Sequence, residues 1–145
     1  MTDLSQSSSR YIMRVSSGIL RRLDAFVEGT AMTPVEARIL QFIAASAKPL
    51  NQKDIESEYG YTAATVSEVI KNMEAKGLIR RDTDPDDRRK RRLTASAGMA
   101  SQVIEMRDRI AALEADLTRG IDPEKLDVFM EVIHQMTKNI PPKGQ

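Results

Sequence analysis

Apolar residues in this chain recur at intervals of three and four, in runs cut apart by glycine, proline and small polar caps. That interval places each run on one face of an α-helix, so the chain reads as a set of packed helices. Over residues 9–28 the stripe is Ile12, Val15, Ile19, Leu23, Phe26 and Val27, with Gly29 where a helix ends. Thr33-Pro34-Val35-Glu36 opens a second helix: Thr33 caps, Pro34 suits the first helical position, and Glu36 completes a capping box. Its inward face is Val35, Ile39, Leu40 and Ile43, and Lys48-Pro49 ends it. Asn51 caps a short third helix with Ile55 inward. Beyond Gly60, Thr62 caps a fourth, with Val66, Val69, Ile70 and Met73 inward and Gly77 as its stop.

One stretch breaks the helical period. Leu78-Ile79-Arg80-Arg81 reads as a strand, residues 82–89 with Pro85 as a polar turn, and residues 91–95 as a returning strand. The period then resumes. Residues 97–119 carry Val103, Met106, Ile110, Leu113 and Leu117, the seam of a helix packed on another helix, and Gly120 ends them. Asp122-Pro123 starts a last helix with Leu126, Phe129, Met130, Ile133 and Met136 inward, terminated by Pro141-Pro142.

Composition narrows the function classes. With 41% hydrophobic and 30% charged residues over 145 positions, the chain suits one soluble folded domain. It has no Cys, which removes disulfides, thiolate metal sites and cysteine redox sensing together. No apolar run approaches the ~18 residues of a membrane span. The start, MTDLSQSSSR, does not read as a secretory signal, so the expected location is the cytoplasm. No nucleophile set, phosphate loop or metal cluster is assembled, so no catalytic residue, cofactor or metal is expected. Asp82-x-Asp84-x-Asp86 resembles the start of a calcium loop but has Asp87 where Gly is needed and Leu93 where a bidentate Glu belongs. The lone His134 reads as a partly buried packing residue.

Charge is informative through its placement. The whole chain is +1, from 22 Lys+Arg against 21 Asp+Glu. Residues 80–92 hold seven basic residues and four acids, a local +3 that leaves −2 for the remainder. Such concentration points to an anionic partner. Its position matters more. The third and fourth helices, joined by a tight turn, form a candidate helix-turn-helix, and the basic hairpin follows at once. A recognition helix reads the major groove with its N-terminal residues, here Thr62, Ala63, Ala64, Thr65, Ser67 and Glu68, with Lys71 further along for a phosphate. The run Arg88-Arg89-Lys90-Arg91-Arg92 neutralises phosphates and offers arginines to the minor groove.

Thr65-Val66-Ser67, Glu74-Ala75-Lys76-Gly77-Leu78-Ile79-Arg80-Arg81, Asp84-Pro85-Asp86-Asp87-Arg88-Arg89 and Leu93-Thr94 together resemble the signature of the MarR family. The resemblance, carried most specifically by the hairpin, extends over nearly the whole chain. It implies a mainly α fold with a small β-hairpin wing: a winged helix-turn-helix at about 33–96 flanked by dimerisation helices at about 9–29 and 97–139. It further implies a homodimer on a near-palindromic operator, usually as a repressor, often released by a small aromatic or amphipathic ligand. In that reading Thr62, Ala63, Thr65 and Ser67 face the major groove, and Asp87 orients Arg89 at the wing tip. The wing is about two residues shorter than the family's usual spacing, which leaves Arg88 and Arg91 as alternatives for the tip. Glu68 stands where the family commonly has a basic or neutral polar residue; a carboxylate there could accept from cytosine N4, repel phosphate or point at Lys71, and the last is the favoured role. An effector pocket, where one exists, is expected between the dimer helices and the winged domain, near Ile12, Val15, Ile19, Phe42 and Met106.

The terminal stripes are too extensive for one small core, and two-fold symmetry suits operator half-sites ~34 Å apart. The expected dimer residues are Ile12, Val15, Ile19, Ile110, Leu113, Leu117, Leu126, Phe129 and Ile133. Two rivals stand beside this reading: an architectural or recombination accessory DNA-binding protein, and a helical protein-interaction module with a basic docking hairpin.

Overall fold

The computed structural model describes residues 4–141. The described residues form six helices and one hairpin: α1 (Ser8–Ala25), α2 (Pro34–Ala45), α3 (Gln52–Tyr59), α4 (Ala63–Ala75), β1 (Ile79–Thr83), β2 (Arg91–Ala95), α5 (Ala100–Thr118) and α6 (Pro123–Asn139). Short 3-10 turns occupy Leu4–Gln6 and Ala97–Met99. The fold is mainly helical with a small β wing, as the residue pattern predicts.

The caps act where they stand in the sequence. Thr33 Oγ1 accepts from the Glu36 N–H at 3.2 Å while Glu36 Oε2 accepts from the Thr33 N–H at 2.9 Å, which closes the capping box at the start of α2. Asn51 and Asp54 repeat the arrangement at α3. At the far end of α4 the Gly77 N–H donates to the Glu74 carbonyl and the Leu78 N–H to the Met73 carbonyl, with Gly77 at φ 72°. This left-handed C-terminal motif turns the chain sharply and delivers Leu78 into the core.

That core is aliphatic. Ile39 and Leu40 of α2, Ile55 of α3, Val66, Ile70 and Met73 of α4, and Ile79 and Leu93 of the hairpin are each at most 2% exposed. Burying one such side chain stabilises by about 1.5–3 kcal/mol, and Val27 and, from α5, Met106 join the same core. One carboxylate is buried among them. Glu36 accepts two bonds from Lys76 Nζ, at 2.9 and 3.0 Å, and Lys76 also donates to the Ala31 carbonyl at 3.0 Å. The start of α2 is thereby clasped to the end of α4.

β1 and β2 pair antiparallel, from Ile79 opposite Ala95 to Thr83 opposite Arg91. Leu50 adds a single bridge to Leu93, whose N–H donates to the Leu50 carbonyl at 2.7 Å. The first strand outlasts its predicted length, because Asp82 faces Arg92 and β-branched Thr83 continues the ladder where a turn is expected. Pro142 lies outside the described residues. His134 is exposed instead of partly buried, since nothing among the described residues covers that side of α6.

Candidate nucleic-acid interface

The face formed by α4 and the hairpin carries the chemistry. Buried Val66, Ile70 and Met73 fix which side of α4 looks outward, and on that side Thr62, Ala63, Ala64, Thr65, Ser67, Glu68 and Lys71 are all exposed. The first turn is rigid. Thr62 Oγ1 accepts from the Thr65 N–H at 3.2 Å and donates to Thr65 Oγ1 at 2.9 Å. Both hydroxyls therefore serve the cap as well as any outside partner. Gln52, a residue the sequence reading passes over, adds a brace from α3. Its Nε2 donates to the Ala63 carbonyl at 3.1 Å and to Glu56 Oε1 at 3.0 Å. Glu68 and Lys71 make no ion pair among the described residues, contrary to the expected pairing. Both point into solvent as separate charges.

Ion pairs sort the basic residues of the hairpin into two groups. Arg80 pairs with Asp82 at 3.0 Å and Arg81 with Glu74 at 2.7 Å. Arg92 lies 3.6 Å from Asp84 and 3.9 Å from Asp86. Arg88, Arg89, Lys90 and Arg91 have no carboxylate partner among the described residues and are exposed.

The loop geometry sharpens which of them is foremost. The Lys90 N–H donates to the Asp87 carbonyl at 2.9 Å, which places Arg88 and Arg89 at the two central positions of the turn. Asp87 Oδ1 accepts the Arg89 backbone N–H at 3.0 Å, so Asp87 shapes the turn through the main chain and not by gripping the guanidinium. Arg91 is already in β2, opposite Thr83, which withdraws it as an alternative for the tip. Asp84 anchors the loop's other end. Its Oδ1 accepts the Asp86 N–H at 2.8 Å, and that bond, helped by Arg92, holds its carboxyl below the usual range for an aspartate.

Between the hairpin and α3 opens a cleft of about 710 Å³ with Lys53 and Ser57 on one wall and Arg89, Lys90 and Arg91 on the other. Lys53 was not predicted as a site residue. Its signal was present, an exposed cation in the first turn after the Asn51 cap, but only the fold sets it opposite the wing.

The terminal helices differ from this center. α1 and α6 contain no buried residue. Met13 is 69% exposed, Val128 59% and Phe129 51%, and Ile12, Val15 and Leu117 are exposed too. Ile19, Ile110, Leu126 and Ile133 are half-buried. Leu113 departs from its expected role: it is 8% exposed, covered within the protomer where α5 meets α1, because one side of the α5 seam is already occupied. Val15 and Ile19 line a shallow groove with Leu117 and do not reach the expected pocket. A separate cavity of about 260 Å³ is walled by Leu23 of α1 and Phe26 at its C-cap, Ala37 and Phe42 of α2, and Met106 and Ile110 of α5. Of the expected pocket residues, Phe42 and Met106 stand there and Ile12, Val15 and Ile19 do not.

A helix-turn-helix followed by a hairpin with free cations at its turn defines a winged helix-turn-helix protein. Residues 32–90 match the MarR family, and the whole chain has the winged-helix fold. Solved structures agree with the fold along nearly the full length. S. aureus MepR in its DNA-binding conformation superposes with a TM-score of 0.85 at 21% identity, over 92% of this chain and 98% of that one. A MarR-family regulator of Listeria monocytogenes, in complex with a 26mer DNA, gives 0.82 at 15% identity, over 97% and 90%. Bordetella bronchiseptica BpsR, whose DNA binding is regulated by 6-hydroxynicotinic acid, gives 0.75 at 18%, over 94% and 97%. No curated protein matches the sequence.

Proposed function

We propose that this protein is a cytoplasmic homodimeric repressor that binds a near-palindromic operator in double-stranded DNA and releases it when a small molecule occupies the cavity beside α2. The observation that carries DNA binding is the set of unpaired cations at the hairpin turn, Arg88, Arg89, Lys90 and Arg91, beside an exposed and capped α4 N-terminus. A helix N-terminus favours anions, and Ala63 permits close approach to the backbone. Thr62, Ala63, Thr65 and Ser67 read base edges, Lys71 and Lys53 meet phosphates, and Arg88 or Arg89 enters the minor groove. Two copies are required because the apolar faces of α1 and α6 are only partly covered in one protomer and bury no residue. The apolar cavity supports release by a ligand, as does the regulation of BpsR by 6-hydroxynicotinic acid.

The test is selection from a random duplex library with purified protein at ~150 mM salt, where loose electrostatic binding is weakened. Enrichment of an inverted repeat with half-sites about one helical turn apart is the expected result. The Arg88→Ala/Arg89→Ala variant then loses affinity, and its log–log salt slope becomes shallower by roughly 0.9 for each phosphate contact removed. Absence of enrichment would leave backbone binding alone, as in an architectural factor. No duplex binding at any salt would turn the hairpin into a dock for an acidic protein.

A further inference from the structure

The two ends of α4 are fixed to the fold by different means. At the N-terminal end Gln52 ties the Ala63 carbonyl to α3, and the two helices pack closely, so they move as a pair. The backbones of α2 and α4 approach at few points, and apolar side chains fill the space between. Apolar packing is non-directional, so it resists separation more than rotation. Directional contacts between the α3–α4 pair and α2 stand at two places among the described residues. The Tyr59 hydroxyl of α3 donates to the Arg38 carbonyl at 2.9 Å, a single point about which the pair could turn. Lys76, at the C-cap of α4, supplies the second point, and two points fix an angle.

Lys76 is committed to holding and has nothing left to offer an outside partner. Its Nζ donates to the Ala31 carbonyl and Glu36 Oε1 at 3.0 Å and to Glu36 Oε2 at 2.9 Å. Those bonds use every proton of the ammonium. Glu36 is 3% exposed, and its Oε2 also accepts the Thr33 N–H. The capping box therefore holds the carboxylate in place, and it cannot follow Lys76 if α4 turns. From Lys76 to Thr62 the helical rise of ~1.5 Å per residue gives a lever of about 21 Å. A turn of about 5° at Lys76 carries the first turn of α4 by about 2 Å, more than hydrogen bonds to base edges tolerate.

We infer that Lys76 is a positioning residue for sequence reading: it sets the angle of α4, and with it the discrimination between an operator and other duplexes, without touching DNA. General grip on DNA is a separate matter. Arg88, Arg89, Lys90 and Arg91 meet phosphates through long side chains, which absorb an error that base edges do not. The inference rests on reading α4 as the helix that enters the major groove.

The experiment has two arms, each comparing the full chain with its Lys76→Met, Lys76→Arg and Glu36→Gln variants. Glu36→Gln keeps an acceptor for the Thr33 N–H and removes the charge, so it is the milder break of the clasp. In the first arm, without DNA, spin labels are placed at Ala44→Cys, exposed near the end of α2, and Glu68→Cys, exposed on α4, in a chain with no other Cys. Dilution into unlabelled protein confines the measured distance to one protomer. Lys76→Met is expected to shift or broaden that distance by about 2 Å, Glu36→Gln by less, and Lys76→Arg to stay near the wild type. The second arm measures affinity for the enriched operator and for a random duplex. Lys76→Met is expected to lose roughly tenfold on the operator while affinity for the random duplex and its salt slope hold, and Lys76→Arg to recover part of the loss. A merely stabilising bond would lower Tm and move neither the distance nor the ratio of affinities. An unchanged distance in Lys76→Met, or equal losses on both duplexes, would overturn the inference. If the wild type enriches no duplex, the reading of α4 fails, and the distance alone then decides whether Lys76 sets its angle.

Discussion

The middle of this molecule and its two ends use similar side chains to opposite result. Between Pro34 and Ala95, isoleucine, leucine, valine and methionine close on one another until Ile39, Leu40, Ile55 and Met73 have no exposure. On α1 and α6 the same residue types stand open, and neither helix buries a single side chain. Helical spacing alone does not separate the two cases; the number of elements that converge does. α2, α3, α4 and the hairpin meet around one point, whereas α1 is covered only in part, by α5, and α6 leaves most of its stripe open in the protomer. A closely packed center is thus joined to a terminal layer left open in one protomer, which a second copy completes in the function proposed.

Matched substitutions in the two regions test this contrast, and they carry the largest expected effects. Leu40→Ala removes a fully buried side chain and is expected to cost about 2–5 kcal/mol, a loss independent of protein concentration. That is a large part of the 5–15 kcal/mol typical of a domain. Phe129→Asp replaces a side chain that is 51% exposed in the protomer and leaves helicity intact. Its expected result is a species of half the wild-type mass at micromolar concentration, a Tm that no longer rises with protein concentration, and operator affinity reduced by orders of magnitude. A Phe129→Asp protein that kept the wild-type mass would remove the ground for treating the terminal layer as incomplete.

The clasp between α2 and α4 supports an intermediate effect. Lys76→Met leaves the buried Glu36 carboxylate with only the Thr33 N–H as partner. Stranding one member of a buried pair is expensive, but the Lys76 side chain is itself partly in water, so the expected loss is about 1–3 kcal/mol by denaturant titration. Lys76→Arg keeps the charge and recovers part of it. A loss indistinguishable from zero in Lys76→Met would mean that packing alone sets the angle between α2 and the recognition helix.

Much of this architecture was legible before any coordinates, and what was hidden follows a physical rule. Local chemistry was readable: the Thr33 and Asn51 capping boxes, the Thr62 cap and the turn at Gly77 depend on residues within a few positions of one another. Contacts across the fold were not. Nothing in the pattern ties Glu36 to Lys76, or brings Gln52 to the first turn of α4, because those distances are set by how helices cross. Leu113 shows the same limit on a helix face. Its spacing marked it as a seam residue, but only the placement of α1 decided that the protomer itself would cover it. At the hairpin the run of five cations was plain, yet its division into paired and free members required the cross-strand register that sets Asp82 against Arg92.

The smallest effect concerns that register. Asp84 accepts the Asp86 N–H and lies near Arg92, and these hold its carboxyl below the ordinary value of 3.8. A carboxyl whose folded pKa is depressed stabilises the folded state above its unfolded value, and that contribution disappears as the pH falls through the folded value. Wild type and Asp84→Asn should therefore differ slightly in Tm at neutral pH and converge as the pH falls through the folded value of Asp84. The asparagine oxygen can still accept the Asp86 N–H, so the variant isolates the charge on Arg92 from the turn itself. Operator affinity should change little, because Arg88 and Arg89, at the center of the turn, keep their positions through Asp87. A marked loss of affinity in Asp84→Asn would instead show that the Arg92–Asp84 contact fixes where the free arginines point.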